Sequence, residues 1–87
     1  MTREEAVAAA REFVVREGRR VTLEPEMVLR MEAERFNRLL GAQRYPSDFW
    51  VVHFRKILPP DVAFESPSTV AVEVIDATGE VRPVRSP

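Results

Sequence analysis

The residues predict an α+β domain in which an amino-terminal helix lies across an antiparallel sheet of three or four strands. Three observations carry this. Thr2 and Glu5 have the spacing of a capping box ahead of an alanine-rich apolar stripe. Phe49 to Ile57 and Thr69 to Ile75 read as strands. Asp76-Ala77-Thr78-Gly79-Glu80-Val81 reads as a turn that throws the chain back.

The helix is expected over residues 3 to 17. Ala6, Ala9, Ala10, Phe13 and Val14 recur at three- and four-residue spacing, and the alanines permit close approach to a sheet. Arg16 lies in its last turn, and Gly18 supplies the left-handed residue that ends it. Arg19 to Leu23 alternates and reads as a short strand.

Residues 26 to 32 carry two patterns at once. Leu29, Ala33, Phe36 and Leu40 share a helical face after Pro25, which suits a first helical turn, whereas Met27, Leu29, Met31 and Ala33 alternate as a strand does. Both readings stay open for 26 to 32, while 33 to 40 reads as a helix closed by Gly41.

In the strand beginning at Phe49, Trp50, Val52 and Phe54 share one face, and Phe49, Val51, His53 and Ile57 share the other. Both faces are largely apolar, so both need cover, from the same chain or from a second molecule. In the next strand Val70, Val72 and Val74 oppose the mixed set Thr69, Ala71, Glu73 and Ile75. The link from Leu58 to Ser68, broken by Pro59-Pro60, is long for a hairpin and carries Val62 and Phe64. The tail after Val81 reads as an edge strand at most, with residues 1–2 and 85–87 expected to be flexible.

Composition narrows the class. The 87 residues fit a single domain, residues 1–87, and a chain of this length buries about 60 to 65 % of its unfolded surface. A hydrophobic share of 45 % and a charged share of 31 % are globular values, and a net charge of −1 gives no global attraction to nucleic acid or anionic membrane. The absence of cysteine removes disulfides, thiolate nucleophiles and thiolate-held metals. Acids near the amino terminus and the lack of a long apolar run point to a soluble, cytoplasmic protein without a membrane partner.

Chemistry-bearing residues are sparse. His53 stands without a second histidine, a cysteine or clustered carboxylates, so no metal set and no catalytic triad forms around it. Arg16, Arg19 and Arg20, with Arg3 and Arg11, make the densest basic region, diluted by Glu12 and Glu17. Three glycines exclude a glycine-rich phosphate loop. Catalytic, cofactor-binding and metal-binding residues are therefore assigned to none, and no cofactor is expected. Tyr45, Phe49, Val51, His53 and Phe64 are the expected interface, with Tyr45 and Phe49 exposed beside the proline loop.

Trp50-Val51-Val52, Val70-Ala71-Val72-Glu73-Val74 and Thr78-Gly79-Glu80-Val81, behind an alanine-rich helix, resemble small bacterial cystatin-like α+β domains, the group of immunity protein 35-like and peptidase-propeptide-like proteins. The likeness covers roughly residues 4 to 16 and 49 to 82, whereas 24 to 45 and the Pro59-Pro60 loop depart from it. It implies partner binding, of an immunity or regulatory kind, rather than catalysis. The leading expectation is a non-enzymatic protein-binding module acting as a homodimer. The alternative is a small enzyme or ligand-binding domain with a helix–sheet cavity, placing His53 and Asp48 or Glu65 at its mouth. A third reading is a nucleic-acid binder through Arg16, Arg19 and Arg20.

Overall fold

A capping box opens the first helix. In the computed structural model, which describes residues 1–84, Thr2 Oγ1 accepts the Glu5 N–H at 3.1 Å and Glu5 Oε1 accepts the Thr2 N–H at 2.9 Å. Thr2, expected to be loose, is thus held, and residues 85–87 lie outside the described residues. The helix, α1, spans Arg3–Arg16. It ends in a Schellman motif: Gly18 takes φ 68°, its N–H reaches Val15 O at 3.1 Å, and the Arg19 N–H reaches Val14 O at 3.0 Å.

The ambiguous segment is a strand. Strand β1 runs Val21–Met31, absorbing the short strand expected at 19 to 23, and is followed by helix α2 at Ala33–Leu40. Pro25 therefore sits inside a strand rather than opening a helix. It marks an irregularity, with register shifts on both sides of it, beyond which Met27 to Met31 pair in unbroken register with His53 to Phe49. That non-local pairing decides between two local patterns of similar strength.

Strands β2 (Phe49–Lys56), β3 (Thr69–Ile75) and β4 (Val81–Pro83) complete an antiparallel sheet of order β1-β2-β3-β4. Cross-strand partners share a face. One face joins Val28, Val52, Phe54, Val72 and Val74, and α1 lies on it, touching all four strands. Ala6, Ala10 and Val14 meet Val52, Phe54, Val72 and Val74 there, all with no exposed surface. The helix–sheet interior is filled with side chains.

The other face joins Met27, Leu29 and Met31 to His53, Val51 and Phe49, and those to Ala71, Glu73 and Ile75. A second cluster forms at one end of it, where α2 and the loop behind it bring Ala33, Phe36 and Tyr45 onto Phe49, Ile75 and Met31. The apolar β2 strand is therefore covered on one face by α1 and on part of the other by α2. The link between β2 and β3 stays largely at the surface, anchored by Lys56 Nζ to Glu65 Oε1 at 3.1 Å and by the Lys56 N–H to Ser68 O at 3.0 Å.

Candidate functional site

The cover on one end of this sheet face is held by a side-chain clamp. Asn37, buried in the middle of α2, donates from Nδ2 to Tyr45 O at 2.9 Å, and its Oδ1 accepts the Tyr45 N–H at 2.9 Å. A side-chain amide thus satisfies both main-chain groups of Tyr45, holding the loop as a neighbouring strand would. Gly41, with φ 66°, gives the reversal that brings the loop back under the helix. The start of α2 has no cap from Glu32; Asp48 Oδ1 accepts the Ala33 N–H instead, at 3.1 Å.

This clamp corrects the expectation for two interface residues. Tyr45 is 9 % exposed and Phe49 2 %, so both belong to the second core cluster rather than to the surface. Tethering Tyr45 through its backbone lays its ring on that of Phe49, and burial of two rings outweighs leaving them beside the proline loop. Val51 and His53 are half-buried on the same face, and Phe64, out on the β2–β3 link, is 76 % exposed.

Beside Tyr45 lies the buried carboxylate of Glu73, whose Oε2 has no hydrogen-bond partner. Burial first, and then the Glu73 carboxylate, push the Tyr45 phenol up to about 12. Arg82, the cross-strand partner of Glu73, points its guanidinium to Arg44 O at 3.3 Å and Glu80 Oε2 at 2.9 Å.

Past the clamp the sheet is uncovered. Met27 and Leu29 are 47 % and 40 % exposed, and half-buried Val51, His53 and Ala71 continue the band across β2 and β3. The rim at its far end is an ion pair, Arg55 Nη2 to Glu26 Oε1 at 2.9 Å. The result is an apolar strip with a balanced rim.

The residues considered for catalysis are dispersed. His53 faces away from α1, and its Nδ1 lies 3.3 Å from Thr69 Oγ1. Asp48 caps α2, and Glu65 pairs with Lys56. An open groove of about 790 Å³ at the end of β3 borders His53, Glu17, Arg19 and Lys56, with no hydrogen bond joining His53 to an acid among the described residues. Of the basic region, Arg16 pairs with Glu12 at 2.6 Å and Arg11 donates from Nε to Leu23 O at 3.0 Å. Among the described residues no group of three or more His, Cys, Asp or Glu is placed to hold a metal, and no helix is long and apolar enough to cross a membrane.

Three structural side chains escaped the sequence reading. Asn37 could have been flagged as an amide poorly suited to a helix interior. Glu73 alternates onto the mixed face without any sign of its burial. Asp76, read as a turn residue, accepts from Trp50 Nε1 at 3.3 Å and lies 3.7 Å from Arg30 Nη1. Arg30 in turn sits over the Trp50 ring, 5.2 Å from its centroid. No protein family, curated protein or solved structure matches the chain.

Proposed function

We propose that this chain is a non-enzymatic protein-binding module that associates with a second copy of itself through the uncovered half of its sheet. The observation that supports this is the strip Met27, Leu29, Val51 and Ala71, which continues the second core cluster into solvent without a covering element. A self-complementary surface suits such a strip, because its rim carries one cation and one anion, Arg55 and Glu26, and the chain as a whole has a net charge of −1. The filled helix–sheet interior, with His53 on the opposite face, favours binding over a cavity-based reaction. A cystatin-like kinship, and with it an immunity-type or regulatory role, belongs to the same proposal; the helix-over-sheet layout supports it.

Size-exclusion chromatography with light scattering over a dilution series tests the reading. The expected result is a dimer mass falling toward the monomer on dilution, with Leu29→Asp, a substitution at an exposed position of the strip, shifting the balance to monomer while the circular dichroism spectrum is retained. A monomer mass at every concentration sinks it.

A further inference from the structure

The directions of the backbone groups decide which main-chain donors and acceptors β1 turns outward from the sheet. The Ile57 N–H turns toward β1, bonding Arg20 O at 2.9 Å, whereas the Lys56 N–H and Asp48 C=O turn toward the β3 side, bonding Ser68 O and the Asp76 N–H, each at 3.0 Å. In an antiparallel ladder these directions alternate residue by residue. The odd residues of β2 therefore bond β1, making Met27–His53, Leu29–Val51 and Met31–Phe49 the hydrogen-bonded pairs. It follows that the N–H and C=O groups of Val28 and Arg30 point away from the sheet, along its outer edge.

Edges of this kind are usually blocked. The upstream half of β1 is blocked by Pro25, by the register shifts around it and by the charges of Glu24 and Glu26. The stretch from Met27 to Met31 is regular, carries one charge and shows two exposed apolar side chains. Protection stops where the exposed strip begins.

Resting on the self-association proposed above, we infer that two copies join edge to edge through β1, antiparallel about a two-fold axis at Leu29, to make one continuous eight-stranded sheet. In this register Val28 of each copy exchanges both main-chain bonds with Arg30 of the other, and all four outward groups find partners. Leu29 faces its own copy, and Met27 faces Met31 of the second chain. These side chains extend the strip of one copy into that of the other. Repulsion between the two Arg30 side chains is moderated within each copy, where Arg30 lies 3.5 Å from Asp48 Oδ2 and 3.7 Å from Asp76 Oδ1.

The chain has no cysteine, so single-cysteine variants report the register directly. Facing residues of a non-hydrogen-bonded antiparallel pair have Cα atoms about 4.5 Å apart, within the roughly 4.4 to 6.8 Å that a disulfide spans. Leu29→Cys is expected to form a covalent dimer under mild oxidation. Met27→Cys and Met31→Cys are expected to cross-link when mixed and hardly at all separately. Amide exchange on the unmodified protein gives a second measurement that no substitution can disturb: protection of the Val28 and Arg30 N–H groups should fall on dilution while that of Leu29 persists. If light scattering gives a dimer but Val51→Cys cross-links in place of Leu29→Cys, or Val28 and Arg30 exchange freely in that dimer, the edge arrangement is overturned and the binding reading stands. A wild-type monomer at all concentrations overturns both.

Discussion

The ring of Tyr45 lies flat on that of Phe49, their centroids 3.9 Å apart and their planes 9° from parallel. Phe36 meets both edge-on, at 6.4 and 5.6 Å. This trio fastens α2 to the sheet, so Phe49→Ala should cost about 3 to 5 kcal/mol, a large share of the roughly 5 to 15 kcal/mol a domain has. Urea unfolding followed by circular dichroism measures it; a loss below about 1 kcal/mol would mean that the trio is not a core.

Glu73 and Tyr45 should be strongly coupled. Tyr45→Phe takes the phenol away from a buried carboxylate that already has one unpartnered oxygen, at a cost of about 1 to 3 kcal/mol. Replacing both, Tyr45→Phe with Glu73→Met, removes the polar pair together and should bring stability to within about 1 kcal/mol of wild type. A double-mutant cycle by chemical denaturation decides the matter, and simple additivity of the two losses would refute the coupling.

Tyr45 is the single tyrosine, so its ionisation can be followed by tyrosinate absorbance. The folded protein holds the phenolic proton up to about 12, while the unfolded chain releases it near 10. A pKa raised on folding adds stability that is whole below about pH 10 and is lost as pH rises from there through about 12. Glu73→Gln should lower the midpoint yet leave it above 10, because burial is the larger cause. A native midpoint near 10 would show the ring to be wet.

On the α1 face, the Trp50 indole N–H holds the Asp76 carboxyl below the ordinary carboxylate range, with help from the amino-terminal ammonium and Arg30. The sign here is the reverse of Tyr45: the stabilisation is present above about pH 4 and is lost as pH falls from there through the depressed folded value. Trp50→Phe should move the Asp76 titration upward toward the ordinary range, read by carboxyl carbon chemical shifts. An unchanged titration would remove the indole as the cause.

Phe64, for all its size, should matter little to folding. At 76 % exposure it has few contacts to lose, and Phe64→Ser should change stability by less than about 0.5 kcal/mol. Thermal unfolding monitored by tryptophan fluorescence is sufficient to check this.

The parts of the fold legible in the sequence are those determined locally. The Thr2–Glu5 box, the alanine stripe, the alternation of Val70, Val72 and Val74 and the Gly41 stop each depend on residues within a few positions of one another. Residues 26 to 32 were not legible, because Leu29 fits a helical stripe and a strand equally well and only register with Val51 separates them. The position of Tyr45 was hidden for a related reason: its burial depends on the side-chain amide of Asn37, eight residues earlier, folding back onto its main chain, a contact that no periodicity marks. Val51 and His53 were placed on the correct side of β2 by simple alternation, yet how much of that side α2 would cover could not be read from spacing.

The distance between α1 and the sheet is set by two methyl groups, those of Ala6 and Ala10, neither of which retains any contact with water. A methyl has no alternative rotamer through which to accommodate a neighbour's drift. Whole-layer spacing is therefore inherited from the smallest side chains in the core, and a bulkier residue at either position would lift the helix from four strands together. Leu39 and Leu40, on the outer side of α2, are free to vary in shape without any such consequence for the rest of the molecule.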